Sequence, residues 1–267
     1  MDAVREYYDR EAEREWNRLS NPYSRVEFES TNYLIKKYFP SEGKILDIGS
    51  GPGRYSLELL KNGYEVSLLD ISINELNISK DKITEAGLKA QGYYCKSATD
   101  LGDFQDNCFD GVLLMGPLYH IHHENLRLKV LEDVYRMLKV GGTALISYIN
   151  SWGCLRAAVE EFPEVFEDEN HFSRYLKGDL KFSAEESFTE TYFTTPEHAL
   201  EEVKKAGFNI ISYAAAEGFL SGLRTQIANL AMENPKAYEN FLKASSQNCE
   251  LPQYRDSSEH LHIIVKK

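Results

Sequence analysis

The chain reads as an α/β protein, a mostly parallel sheet with helices on both faces. Two observations predict this. Between residues 44 and 149 short apolar runs alternate with stretches of helix length, and runs such as FDGVLLMG (109–116) are apolar almost without a break. A strand with one wet face alternates polar and apolar residues, whereas a strand covered on both faces does not, and βαβ crossovers supply that cover. A third observation marks one edge of the sheet: the first run ends in KILDIGSGPGRYS (44–56), with glycines at alternate positions.

The elements follow in order. Residues 2–19 are rich in charge, with Tyr7, Tyr8, Trp16 and Leu19 as the large apolar side chains, and read as a polar helix ended by SNPYS. A second helix over about 25–38 places Val26, Phe28, Tyr33, Leu34 and Tyr38 at helical spacing and stops at PSEG. KILDIG is a strand, 54–62 a helix closed by Asn62-Gly63, EVSLLD (65–70) a strand, and 73–86 a helix closed by Gly87. AQGYYC is a weak strand, 109–116 a strong one, 124–138 a helix stopped by KVGG, and TALISYI (143–149) a strand. Beyond Asn150 the pattern loosens. Residues 194–208 form a helix with a Thr cap, Pro in its first turn and Gly at its end. NIISYAA is a strand, 222–246 two helices broken at Asn234-Pro235, and HLHIIVKK (260–267) a final strand. The expected organisation is N-terminal helices at 1–40 over the site, a core at 41–150, a cap insertion at 151–193, and the rest of the core at 194–267 with a helical insertion at about 215–258.

A net charge of −12 argues against a generic nucleic-acid or anionic-membrane surface, which needs clustered Lys and Arg. Cys95, Cys108, Cys154 and Cys249 form no CxxC pair, so no zinc or redox motif is signalled, and scattered thiols fit a reducing compartment. The charged N-terminus lacks the apolar core of a signal peptide, and no run approaches the roughly 18 apolar residues of a membrane span. The expectation is a cytoplasmic protein. His120, His122, His123 and Glu124 are too close along the chain to converge on a metal, so none is expected.

In parallel α/β sheets ligands lie beyond the carboxyl ends of the strands. Gly49, Ser50, Gly51 and Gly53 stand at that edge, where lack of Cβ permits close backbone approach. Asp70 ends the second strand, placed to accept hydrogen bonds from both ribose hydroxyls of an adenosine. Asp47, at the mouth of the first strand, would repel a pyrophosphate and attract an ammonium or sulfonium. The spacing is also GxGxG, not GxGxxG. Both points turn the reading from a nicotinamide dinucleotide toward S-adenosylmethionine.

With LDIGSGPGRYS, LLDIS, KSATDL, CFDGVLLMGPLYHI and VLEDVYRMLKVGGTALIS in this order, the chain resembles the class I S-adenosylmethionine-dependent methyltransferases, in the small-molecule group called methyltransferase type 11 or UbiE-like. The resemblance covers residues 1–150, and more loosely 194–214 and 258–267. It implies a Rossmann-like, seven-stranded sheet with its last strand antiparallel. It places Gly49 to Gly53 beside the methionyl part, Asp70 on the ribose, Ile71 on the adenine, and Ala98 and Thr99 at the adenine edge. Ser97 stands where the family has Asp and would hold the adenine amino group more weakly. Met115 and Gly116 would lie under the sulfonium. Tyr119 and His120 fall where the family faces its substrate, and His120 is a candidate base. Tyr7, Tyr8 and Trp16 would surround the sulfonium if the first helix folds over the site.

Trp152, Phe162, Phe166, Phe172, Tyr175, Phe182, Phe188 and Phe219, in the two insertions, either form a hydrophobic lid or bury one another. MGPLY stands where nucleic-acid and protein methyltransferases carry an Asn-Pro-Pro-aromatic motif. The reading is methyl transfer to a small molecule. Its rivals are a nicotinamide-dependent oxidoreductase and a sensor that holds S-adenosylmethionine without using it.

Overall fold

The computed structural model describes residues 2–267. Its elements are α1 (Asp2–Arg18), α2 (Ser24–Tyr38), β1 (Lys44–Ile48), α3 (Arg54–Lys61), β2 (Glu65–Asp70), α4 (Ile73–Glu85), β3 (Gly92–Cys95), β4 (Phe109–Leu114), α5 (Glu124–Met137), β5 (Leu138–Asn150), α6 (Ser151–Glu161), α7 (Asn170–Lys177), β6 (Leu180–Phe182), β7 (Thr191–Thr194), α8 (Pro196–Lys205), β8 (Asn209–Ala215), α9 (Arg224–Glu233), α10 (Pro235–Gln247), a one-turn α11 (Pro252–Arg255) and β9 (His260–Lys266). No helix among the described residues is long and apolar enough to cross a membrane.

Seven strands build the main sheet in the order β3-β2-β1-β4-β5-β9-β8. β9 runs antiparallel to both its neighbours, β5 and β8, and the other pairings in this sheet are parallel. The expected seven strands with an antiparallel last strand are therefore present. Two more join them: β7 pairs with the last two residues of β5, and β6 runs antiparallel to β7. Both come from the segment the sequence left unassigned.

One boundary differs from expectation. KVGG does not stop the chain after α5, because β5 begins at Leu138 and runs through it. Leu138 pairs with Phe109, the ladder shifts, and pairing resumes at Gly111 with Thr143. The glycines that look like a terminator sit in an irregularity of one long strand, with Gly141 at φ 78°.

Alternate residues of each central strand feed opposite cores. Leu46, Ile48, Val112 and Leu114 pack with Val130, Leu131 and Val134 of α5 and Val203 of α8. Ile45, Leu68, Leu113 and Ile264 pack with Leu34 of α2, Leu59 of α3 and Ile83 of α4. This two-sided burial is why the strands read as continuous apolar runs. The helical insertion lies along α2, where Ile227, Tyr238 and Leu242 bury Tyr23 and Val26.

The cap aromatics mostly pack on one another around the buried Tyr175, with Phe172 and Phe188 left exposed. Phe166 meets Phe172 and Tyr175 at ring distances of 4.7 and 5.0 Å, and Phe182 meets Phe193 at 5.1 Å. Phe219 packs on Tyr254 at 5.5 Å in the other insertion. Phe188 alone of the eight touches a predicted site residue among the described ring contacts, standing 6.0 Å from the His120 ring.

Below the far core a buried ion pair ties four elements. Arg127 on α5 donates from Nε and Nη2 to Glu202 on α8 at 3.0 and 2.8 Å. Tyr148 on β5 donates to the same carboxylate at 2.8 Å, and Tyr192 on β7 lies under the guanidinium at 3.7 Å. Removing one partner strands the other charge out of water. Arg127→Met is expected to destabilise the fold by about 3–5 kcal/mol, and adding Glu202→Leu to recover much of that. Denaturant unfolding of both variants measures it; a single variant as stable as the parent would show the pair to be solvated.

Candidate active site

The loop after β1 is shaped by its glycines. Gly49 has φ 76°, and a Cβ there would lie 2.5 Å from Pro117, so no other residue fits without moving the β4 turn. The Gly49 and Ser50 amides donate to the Leu69 carbonyl at 2.8 and 3.1 Å, tying the loop to β2. Asp70, at the end of that strand, accepts the Gly51 amide on Oδ2 and the Ser72 amide on Oδ1, each at 2.8 Å. Burial raises its carboxyl to about 6, opposed by those amides and helped by the charge of Asp9.

A cavity opens over the carboxyl ends of β1, β2 and β4. Its floor and sides include Gly49, Ser50, Gly51, Asp70, Ile71, Ala98, Met115 and Gly116, with Tyr119 and His120 from the turn after β4. Helix α1 roofs it with Val4, Tyr8, Glu15 and Arg18; Glu27 of α2, Arg54 and Tyr55 of α3 and Glu75 of α4 complete it. The roof is pinned at two points. Ser72 Oγ donates to Asp9 at 2.6 Å while Asn74 donates to the Asp9 carbonyl at 2.8 Å, and Tyr8 reaches His120.

Eleven predicted residues thus share one cavity: Tyr8, Gly49, Ser50, Gly51, Asp70, Ile71, Ala98, Met115, Gly116, Tyr119 and His120. Five do not line it. Asp47 is buried beneath the loop, where Ser56 Oγ donates to it at 2.7 Å. Gly53 packs against Ser79. Ser97 and Thr99 bond each other at 2.9 Å. Trp16 lies against the guanidinium of Arg54 at 4.8 Å and the Lys82 amine at 5.5 Å. Eight residues separate Trp16 from Tyr8, so the two diverge by about 80° around the helix axis at ~100° per residue. Tyr7 turns toward Phe188, 5.2 Å away.

His120 differs from its expected character. Its Nδ1 meets the Glu190 carbonyl at 2.7 Å, which only accepts, so Nδ1 carries the proton. Nε2 is then an acceptor, and the Tyr8 hydroxyl donates to it at 2.9 Å. Burial lowers the ring to about 4, against the opposing pull of that carbonyl, so it is neutral near neutral pH. His122 turns away to donate to the Thr191 carbonyl at 3.0 Å, which disperses the histidine cluster. Glu27, Glu217 and His260 bring ligand atoms within 4.8 Å of one another beside the cavity. They neutralise each other: His260 Nδ1 donates to Glu217 at 2.7 Å and Arg18 to Glu27 at 2.9 Å, and the acids hold His260 up at about 9 against its burial.

Sequence reasoning missed Glu15, Arg18, Glu27, Arg54, Tyr55 and Glu75. For α1 a signal existed: Val4, Tyr8, Glu15 and Arg18 recur at spacings that keep one helix face. Among the described lining residues the acids Glu15, Glu27 and Asp70 face only Arg18 and Arg54, and Arg18 is already engaged by Glu15 and Glu27, while burial keeps Glu75 protonated. Such a lining disfavours a pyrophosphate and suits a cationic ligand.

Residues 46–146 match the family model described as a methyltransferase domain. Over these residues the chain is similar to the class I S-adenosylmethionine-dependent methyltransferases. The ubiquinone/menaquinone biosynthesis C-methyltransferase UbiE of Xylella fastidiosa (strain M12) is 31% identical to it over 121 residues, 42% of this chain and 46% of that protein. The match thus spans about half the length of that relative. The tRNA 5-carboxymethoxyuridine methyltransferase of Escherichia coli (strain K12) is 20% identical over 236 residues, 88% of this chain and 84% of that one. In fold, the chain is similar to the Burkholderia thailandensis 1,6-didemethyltoxoflavin-N1-methyltransferase, whose crystal structure contains 1,6-didemethyltoxoflavin and S-adenosylhomocysteine. The TM-score is 0.60 at 15% identity, over 100% of this chain and 88% of that one.

The cavity fits S-adenosylmethionine as its cofactor. Asp70 retains a free lone pair on each oxygen for a ribose, Ile71 and Ala98 offer apolar flanks for a purine, and the acid-rich lining suits a sulfonium.

Asp47 gives a testable consequence. Burial, with the Asp70 charge adding, raises its carboxyl from 3.8 to about 7, and Ser56 opposes the shift. The folded state therefore binds this proton more tightly than the unfolded chain. The stability it contributes is complete below about pH 3.8 and is lost as pH rises through about 7. Asp47→Asn keeps an acceptor for Ser56, so its melting temperature should exceed the parent's near pH 8 and converge with it near pH 4. A thermal series across that range checks it; a variant less stable at the alkaline end would mean the fold uses the carboxylate.

Proposed function

We propose that this protein transfers a methyl group from S-adenosylmethionine to a small molecule held between the glycine loop, Tyr119 and the Tyr8–His120 pair. The observation that carries this reading is the Tyr8–His120–Glu190 hydrogen-bond chain. It ends inside the same cavity that holds Asp70 and the glycine loop. S-adenosylmethionine, when bound, supplies an electrophilic methyl group on a sulfonium. The protein's task is to align the acceptor, exclude water and take up a proton.

Helix α1 roofs the cavity, and its two pins set the depth at which Tyr8 stands. An acceptor that hydrogen-bonds to the Tyr8 oxygen would shed its proton there as its new bond to the methyl carbon replaces the methyl–sulfur bond, the sulfur leaving as a neutral thioether with that bond's electron pair. Tyr8 passes its own proton to His120 Nε2. The Glu190 carbonyl steadies the resulting imidazolium through Nδ1. A ring depressed to about 4 is a weak base, so it acts only once methylation has acidified the acceptor proton.

The net charge of −12 and the acid-rich lining support a small acceptor over an RNA, although one relative acts on tRNA. Calorimetry against S-adenosylhomocysteine and NADH tests the donor, with binding expected only for the first. Methyl transfer to a panel of amines, phenols and acids tests turnover; donor binding without turnover on any of them would favour the sensor reading.

His120→Ala is expected to lower turnover roughly 100-fold with donor affinity kept, the scale of a lost general base. Parent turnover should lose its acid limb only near pH 4, because protonated His120 accepts nothing. Steady-state kinetics of both proteins across pH measures this, and unchanged turnover in the variant would make His120 a packing residue.

A further inference from the structure

Glu75 is fully buried in the first turn of α4, lines the cavity, and has no hydrogen-bond partner on either carboxyl oxygen. The local sequence explains this. Ser72 caps α4, its Oγ accepting the Glu75 amide at 3.1 Å. A Ser-x-x-Glu box ordinarily closes when the glutamate side chain returns to the amide of the capping residue. Here Asp70 Oδ1 already holds the Ser72 amide. The second half of the box has no donor left, and the Glu75 carboxyl is released toward the cavity.

Its surroundings select a ligand group. A Cβ on Gly51 would lie 3.7 Å from Glu75 Oε2, so this oxygen stands over the glycine loop, whose Gly51 amide Asp70 holds. Burial, then the charges of Asp70, Glu15 and Asp9, push the Glu75 carboxyl up to about 9, with Arg18 opposing. The group is a neutral acid near neutral pH, offering one O–H donor and acceptor lone pairs. That matches a hydroxyl, which both donates and accepts, better than an ammonium, which wants a carboxylate. Asp70 has each oxygen already engaged by a backbone amide, which leaves room beside it for a second carboxyl at a vicinal diol.

We propose that Glu75 and Asp70 form a two-carboxyl clamp at Gly51, in which Glu75 hydrogen-bonds a ribose hydroxyl of the bound methyl donor. The inference rests on S-adenosylmethionine being the ligand of this cavity.

Glu75→Met removes an unpaired buried carboxyl, so the ligand-free variant is expected to melt a few degrees above the parent. It should bind S-adenosylhomocysteine about tenfold more weakly, the scale of one buried hydrogen bond lost. 5′-Methylthioadenosine, which keeps the ribose and lacks the amino-acid tail, should lose the same factor. Removing the 2′- or the 3′-hydroxyl from S-adenosylhomocysteine should weaken the parent and leave the variant nearly unchanged for one of the two. Glu75→Gln, which retains a donor and an acceptor, should keep most of the affinity. Glu75→Ala carries the same comparison if the methionine variant does not fold. Unchanged affinity in the truncated variant overturns the clamp. So does a loss seen with S-adenosylhomocysteine but not with 5′-methylthioadenosine, which would assign Glu75 to the methionyl ammonium. A parent that binds neither ligand overturns the cofactor reading instead.

Discussion

The Asp70 carboxylate, buried at the end of β2 and holding the amides of Gly51 and Ser72, is the constraint on which the site depends. One oxygen fixes the loop after β1 and the other fixes the start of α4. Each amide would otherwise stand unpaired in a poorly solvated place, and the carboxylate would lack the donors that make its burial tolerable. Because these groups satisfy one another, the glycine loop, the β2 terminus and the first turn of α4 form one rigid wall. The bond to the Ser72 amide also takes the usual capping partner from Glu75, while Ser72 Oγ donates to Asp9, which anchors the roof helix.

Charge is arranged around that wall in a way that makes an unliganded cavity costly. Asp47, Asp70 and Glu75 are all carboxyls raised by burial, and the charge of Asp70 pushes on both of the others. A cation entering this space relieves part of that repulsion, and a diol supplies hydrogen-bond donors to the acids that lack them. Binding and local stability are therefore coupled: the groups that weaken the empty protein are those a ligand would satisfy.

The outer layers serve placement more than contact. The aromatic cap is chiefly a small core of its own, joined to the sheet through β6 and β7. From it the Glu190 carbonyl, just before β7, reaches back to hold His120. The helical insertion buries one face of α2, and α2 in turn presents Glu27 to the cavity.

What the sequence by itself determined is what local chemistry dictates. Continuous apolar strands, a glycine loop and an acid at the end of β2 specify the sheet, its ligand-binding edge and an adenosine-type site. Strand burial leaves a periodic signal, and a turn that cannot carry Cβ announces itself as glycine. Helix boundaries up to α5 and at α8 followed from caps and stops, apart from KVGG, whose glycines belong to a bulged strand, while α6, α7 and α11 lie where the chain shows no clear period. Tertiary structure decided everything that depends on orientation between distant segments. Trp16 and Tyr8 share a helix, yet only the packing of α1 says which faces the cavity. The proton position of His120 comes from a carbonyl 70 residues away and its low basicity from burial, and Glu75 reads as an ordinary capping residue until Asp70 takes its partner. Hydrogen-bond competition and burial are properties of the assembled neighbourhood, so no short stretch of sequence can encode them alone.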